Sequence, residues 1–455
     1  MGESTAVSAV EVDSRATFQA ALDSGLLDLR GQPGRYYVGT PPWPRAFAVL
    51  SMPPDSRLIG DGSETIVFGG GDPAGAAWRG IQLHDRARIT GVTLELTDTA
   101  GDWDEQSHLV EIVGPLTGAE IDHVRFVYPL TAGVSRGDCI RLRCYPESRC
   151  WDVTGHHNTF AGCARSGVSI HSGLHGSRLP DGTCSTRFHH NTFDGVADQD
   201  LDGEGSGDIG GLDESDCVEW DHNTHRSAAA PPTSLAVSLY PGSVEFHHNL
   251  LLGRGLDVLG GSHHVHHNVI TQSVPNGGTA VVFVRKSGSS WFHDETWTRE
   301  VSAGAGPVFA AEQKMTAPGI RLDDVRMVQH TPRGAVSVHG ALGLSMRDVT
   351  IVDDGGPGTG LRDAIRVEGS NVRTTPVTLI DSTVSGPFRA LLSTTGWYAG
   401  GVGSFDLRDN TAPASSSGLR CEDVDATATS GGISGPVTYV DNTAGSPTCS
   451  VWSAP

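Results

Sequence analysis

Between turns rich in Gly, His, Asn and Asp, apolar and polar residues alternate in short runs: "GVSIHS", "LAVSLY", "GLDVLG", "AVVFVRK", "AVSVH" and "AIRVEG". A period of two puts alternate side chains on opposite faces of a strand, and helical periodicity is almost absent. If Ile140 and Leu142, Val168 and Ile170, Val237 and Leu239, Leu256 and Val258, and Val282 and Val284 face inward, an outward row follows. It holds Arg141, Arg143, Ser169, His171, Ser238, Tyr240, Asp257, Phe283 and Arg285. Aligned polar and aromatic groups of this kind suit a groove for an extended chain.

The turns repeat. His-His-Asn stands at residues 156–158, 189–191, 247–249 and 266–268, with Asp221-His222-Asn223 as a near copy. Markers at Gly91, His123, Asn158, Asn191, Asn223, Asn249, Asn268, Glu295, Asp324, Asp348, Asp381, Asn410 and Asn442 follow one another at 19 to 35 residues. Units this short bury a face only by piling on their neighbours, so the pattern predicts a stacked all-β solenoid. Leucine-rich, ankyrin and propeller signatures are absent, and helical repeats do not tolerate this Gly and β-branched content.

The phrases "VEFHHNLL", "HVHHNVI" and "STRFHHNTF" resemble the repeat of right-handed parallel β-helices of the pectate-lyase-like superfamily. "ATFQAALDSGLLDLRGQPGRYYVG", followed by "MPPDSRLIGDGSETIVFGG", resembles the entry to such folds: a capping helix, a strand and a first coil. The resemblance implies a cap region over residues 1–35 and a single right-handed parallel β-helix over 36–455. It also implies that each Asn occupies a sharp turn, bonding the backbone and stacking on the next Asn, in the left-handed region that Asn tolerates. On that reading the paired histidines punctuate turns, although neutral imidazole is also a metal ligand. The superfamily spans carbohydrate-active enzymes and tail-spike-like proteins, so fold alone does not choose the reaction.

Composition narrows the chemistry. A net charge of −21 with a pI near 5.3 disfavours nucleic acid, and polyanionic substrates too unless a cation intervenes. No apolar run approaches the ~20 residues that span a bilayer. The eight cysteines form no CxxC pair. Six cluster between Cys139 and Cys217, and Cys421 and Cys449 are expected to pair with each other. Disulfides at this density imply an oxidising compartment and a secreted protein.

The segment "DQDLDGEG" sets Asp198, Asp200, Asp202 and Glu204 in the spacing of half an EF-hand loop, an oxygen-rich site for Ca²⁺. Asp213, Glu214 and Asp216 are expected at the rim of the groove beside Asp257, where paired carboxylates serve glycoside hydrolysis. Arg285 and Lys286 are placed to hold a leaving oxygen or a substrate carboxylate, and His171, Arg285 or Lys286 to act as base in an elimination. Arg141, Arg143, Tyr240, Lys286 and Trp291 line the substrate path. Trp103 and Trp297 are further stacking platforms, whereas Trp151 and Trp220 sit at repeat positions and read as core. The order of acidic residues, His263 and Arg285-Lys286 loosely resembles polygalacturonase-like hydrolases, whose Asn-Thr-Asp, Gly-His-Gly and Arg-Ile-Lys motifs are not reproduced.

The expectation is cleavage of glycosidic bonds in an extracellular polysaccharide or oligosaccharide. Hydrolysis or transglycosylation, needing no cofactor, stands ahead of elimination, because a strongly acidic protein repels polyuronates. The alternative is a non-enzymatic glycan-binding adhesin or tail-spike-like surface protein. Neither nucleic acid nor membrane is an expected partner, and self-association as a homo-oligomer is compatible with such a chain.

Overall fold

A computed structural model describes residues 15–444 apart from 39–47, 69–78, 97–107, 129–136, 146–147, 172, 197–198, 204–216, 227–235, 240–242, 276–277, 286–288, 313–318, 332, 340–342, 355–361, 369–376, 396–404, 414–416 and 422–436. At His171, Asp200 and Asp202 only the backbone is described. The chain divides into two compact units, 1–229 and 230–455. Each is a parallel β-helix, and the described residues are all-β apart from the helix Arg15–Asp23 and a turn of 3₁₀ helix at Val301–Ala303.

The helix buries Phe18, Ala21 and Leu22. It stops at Gly25, whose φ of 96° suits a residue without Cβ. Phe18 meets Tyr36 edge to face at 5.7 Å, which ties the helix to the strand Gly34–Tyr37.

In unit 1–229 each coil gives a first sheet two short strands separated by one bend, and a second sheet one strand. Strands Glu120–Asp122, Thr154–His156, Thr186–His189 and Val218–Asp221 stack in parallel, with Ile121, Gly155, Phe188 and Trp220 in register. Beyond the bend, Leu94, Phe126, Phe160, Phe193 and His225 form one inward column. Its rings stack face to face at 4.9, 4.4 and 4.8 Å from Phe126 to His225, so the narrow core is a continuous aromatic pile.

In unit 230–455 the same plan holds, from Glu245–His247 and Leu250–Gly253 to Phe405–Arg408 and Val437–Val440. Trp297 was expected as a sugar platform, but it stands in register with Ile270 and Met327 and is fully buried. The two-residue period of its strand turns it inward. Trp220 is core, as its repeat position predicts.

The bend departs from expectation in one respect. The left-handed residue is the one before each Asn, or before the residue that stands in its place: His123, His157, His190 and His222 in the first unit, and His248, His267, Asp294, Asp324, Asp348, Asp381, Asp409 and Asp441 in the second, all with φ of 50–57°. Asp and His are among the non-glycine residues that enter this region most readily. The turn they make directs the following side chain inward.

There the expected ladder forms. Asn158 Oδ1 accepts the Val124 N–H, and its Nδ2 donates to the Ile121 carbonyl and to Asn191 Oδ1. Asn191 repeats the pattern on Asn158 and Asn223, as do Asn249 with Asn268 and Asn410 with Asn442. Each amide therefore satisfies backbone groups that the corner takes out of the sheet ladders.

The outer histidines stack in two columns. His123, His157, His190 and His222 follow at 4.9–5.0 Å in the first unit. Within each His-His pair the Nδ1 atoms lie 2.9–3.0 Å apart, one ring donating and the other accepting. Burial, and after it the charge of Arg187, holds His189 down to about 4.

Disulfides join Cys139 to Cys163, Cys144 to Cys150 and Cys184 to Cys217, all in the first unit. The expected Cys421–Cys449 pair lies outside the described residues.

Candidate functional site

The outward row forms, but it is largely covered in unit 1–229. Glu111, Arg141, Ser169 and Asp202 share one register position of the second sheet. Arg141 is only 3% exposed, its Nη1 donating to Ser169 Oγ at 2.8 Å and reaching Asp138 Oδ2 at 3.5 Å. Asp138 is fully buried. Burial works against its ionisation, yet contacts from His108 and a bidentate Arg165, both bonds at 2.7 Å, hold its carboxyl below the ordinary range. Arg79 closes on Glu111 at 2.8 Å, and Arg143 stands 3.6 Å from the same carboxylate. Arg141, expected to bind substrate, is thus a member of a buried polar network, because its guanidinium finds acceptors within the sheet. His171 takes the register position of Arg143.

The expected calcium segment is not a loop. Gln199–Gly203 is a strand paired with Ser166–His171, and Leu201 enters the inward column beside Val168. Strand alternation around an apolar residue prevails over the turn an EF-hand requires. Asp198 and Glu204 lie outside the described residues, as do Asp213, Glu214, Asp216, Tyr240, Lys286 and Trp103.

Unit 230–455 carries the more open arrangement. Ser238, Asp257, Phe283, Ala310, Ser337 and Arg366 occupy one outward register position. Two residues further along each strand, Arg285 and Glu312 are paired, followed by His339 and Glu368. Asp257 is 3% exposed, whereas Glu312 and His339 are exposed. Arg285 donates from Nε to Asp257 Oδ1 at 3.1 Å and from Nη2 to Oδ2, and its guanidinium lies 4.9 Å over the Phe283 ring. Burial raises the Asp257 pKa, the Arg285 ion pair opposes it, and the charge of Glu312 adds to the rise. Burial wins, so this carboxyl holds its proton more tightly than an ordinary Asp.

Glu312 is the site residue that sequence reasoning missed. Its strand, Phe309–Glu312, carries two alanines and no β-branched residue. The usable signal was position, since Glu312 ends its strand as Arg285 ends "VVFVR". Trp291 belongs to the first sheet, stacked on His264 at 4.8 Å, and so is not part of this row.

No protein-family model matches the chain, and no curated protein does. Among solved structures, the fold is similar to a mutant tailspike protein of E. coli bacteriophage HK620 in complex with a hexasaccharide: 10% identity, 90% of this chain, 74% of that one and a TM-score of 0.46. Another mutant of that tailspike, in complex with a pentasaccharide, gives 11% identity over 90% of this chain and 75% of that one at a TM-score of 0.47. The A-module of the Azotobacter vinelandii mannuronan C-5 epimerase AlgE6 covers 98% of both chains at 12% identity and a TM-score of 0.31. The parallel β-helix rests on this chain's own strand pairing.

Proposed function

We propose that the outward row of unit 230–455 binds an extended glycan and hydrolyses a glycosidic bond. The observation that carries the reading is Asp257: a buried carboxyl of raised pKa, on the same sheet face as a second, exposed carboxylate. Environments that push two carboxyl groups apart divide the acid and base roles between them. Asp257 donates its proton to the leaving oxygen as Arg285 releases it for a substrate hydroxyl or carboxylate. Glu312 takes a proton from the attacking water, and Phe283 floors the groove.

Glu312 stands two coils from Asp257. Glu312 is also two residues further along its strand, so with coils about 4.8 Å apart and about 3.3 Å per residue the backbones are roughly 12 Å apart, wider than the ~5–5.5 Å carboxyl spacing of retaining enzymes and on the side of the ~6.5–9.5 Å that leaves room for water. The first-formed product should therefore have inverted anomeric configuration, which NMR of the fresh product detects. Asp257→Asn and Glu312→Gln should each lower kcat by about 10²–10⁴-fold while glycan binding persists. Wild-type turnover in both would refute the assignment.

A binding-only surface is the second reading, favoured by the Arg285 pair that engages both Asp257 oxygens. It predicts glycan affinity with no new reducing ends. The three disulfides support a secreted protein on either reading. Calcium at the acidic segment around Asp200 and Asp202 is tested by the same assay with chelator and with added Ca²⁺.

A further inference from the structure

The stacked histidines hold one arrangement that turn punctuation does not explain. His264 Nδ1 lies 2.7 Å from Glu245 Oε2, and His293 Nδ1 lies 2.6 Å from Asp294 Oδ2. A carboxylate accepts and does not donate, so each imidazole places its proton on Nδ1. Both Nε2 atoms are then left with lone pairs, and these two atoms face each other at 2.7 Å. Two lone pairs at that distance repel unless something positive lies between them.

His266 completes the group. Its ring stacks on His293 at 4.8 Å with only 4° between planes, its centroid is 4.5 Å from His264, and one ring nitrogen from each of the three lies within 4.8 Å of the others. Trp291 walls one side, stacked on His264, with its Nε1 held by Asp323 at 2.8 Å. All three histidines are half-buried, open to solvent on the remaining side.

We propose that His264, His293 and His266 bind a divalent transition-metal ion of borderline softness, such as Zn²⁺, bridging successive coils of unit 230–455. Imidazole suits this class of ion, and Nδ1–H held by a carboxylate is the support that orients metal-bound histidines. Zn–N bonds of about 2.0–2.1 Å require His264 and His293 to part slightly and His266 to close in, within the reach of side-chain rotation. Solvent supplies the fourth position.

The test uses tag-free protein stripped with chelator, titrated with Zn²⁺ by calorimetry and with Co²⁺ by visible absorption. The tightest-bound equivalent should weaken at least about tenfold in His264→Gln and in His293→Gln, and by about 10–100-fold in Glu245→Gln, which keeps all three ligands. His330→Gln, outside the cluster, should bind as the wild type does. Circular dichroism and the thermal midpoint without metal report whether each variant is folded. No binding at millimolar metal, or binding unchanged in folded Glu245→Gln and His293→Gln, would overturn the proposal and leave a shared proton between the two rings.

Discussion

His189 sits between His156 and His190, half-buried, with Arg187 two residues before it. Unfolded, its ring titrates near 6.5; folded, burial and Arg187 hold it down to about 4. The folded state therefore refuses a proton that the unfolded chain accepts, and stability present above pH 6.5 is lost as pH falls toward 4. His157 and His190 are shifted the same way, burial first and neighbouring histidines after it. Denaturant unfolding at pH 7 and pH 4.5 should show this loss, and His189→Phe, which keeps the stack without titrating, should reduce it. An equal loss in the variant would show that the histidine column is not its source. The sequence displayed these rings as a repeat, but not their stacking, which depends on coil-to-coil register.

The corner of each coil shows what was legible at the level of elements. His-His-Asn reads as a turn because few residues suit a left-handed bend followed by an inward amide, so the pattern survives variable spacing. Which residue takes the left-handed φ was misassigned by one position. Asn191→Ala would strip the partner from the Asn158 N–H and the Gly155 carbonyl, both at buried positions, and should cost about 2–5 kcal/mol by denaturant unfolding. At the bend itself, Asp381→Gly should be nearly neutral. Asp381→Val should cost on the order of 1–2 kcal/mol, because a β-branched residue resists a φ of 53°. A reversed order would contradict the assigned bend. Strands without the expected composition were the ones lost to sequence reading: Phe309–Glu312, for want of β-branched residues, and Gln199–Gly203, whose aspartates have the spacing of a calcium loop.

For the whole molecule, the three disulfides among the described residues all fall in unit 1–229, and the Cys184–Cys217 bridge closes the longest loop among them, with a sequence separation of 33. On the loop-entropy account that bridge alone contributes roughly 3–4 kcal/mol. Reduction should therefore lower the unfolding midpoint of unit 1–229, which hydrogen exchange read by segment would resolve. The all-β solenoid was legible from periodicity and the resemblance together, because every coil repeats the same physical solution. The site was legible only in part: Asp257, Arg285 and Phe283 were found by strand parity, Arg141 proved buried, and Glu312 was missed. The most direct measurement is turnover of a panel of neutral and acidic polysaccharides by the wild-type chain and by Asp257→Asn, followed by reducing-end assay and ultraviolet absorbance. The account predicts new reducing ends without an unsaturated-sugar absorbance, and loss of turnover in Asp257→Asn with glycan binding retained. Unsaturated products, or full turnover by Asp257→Asn, would contradict it.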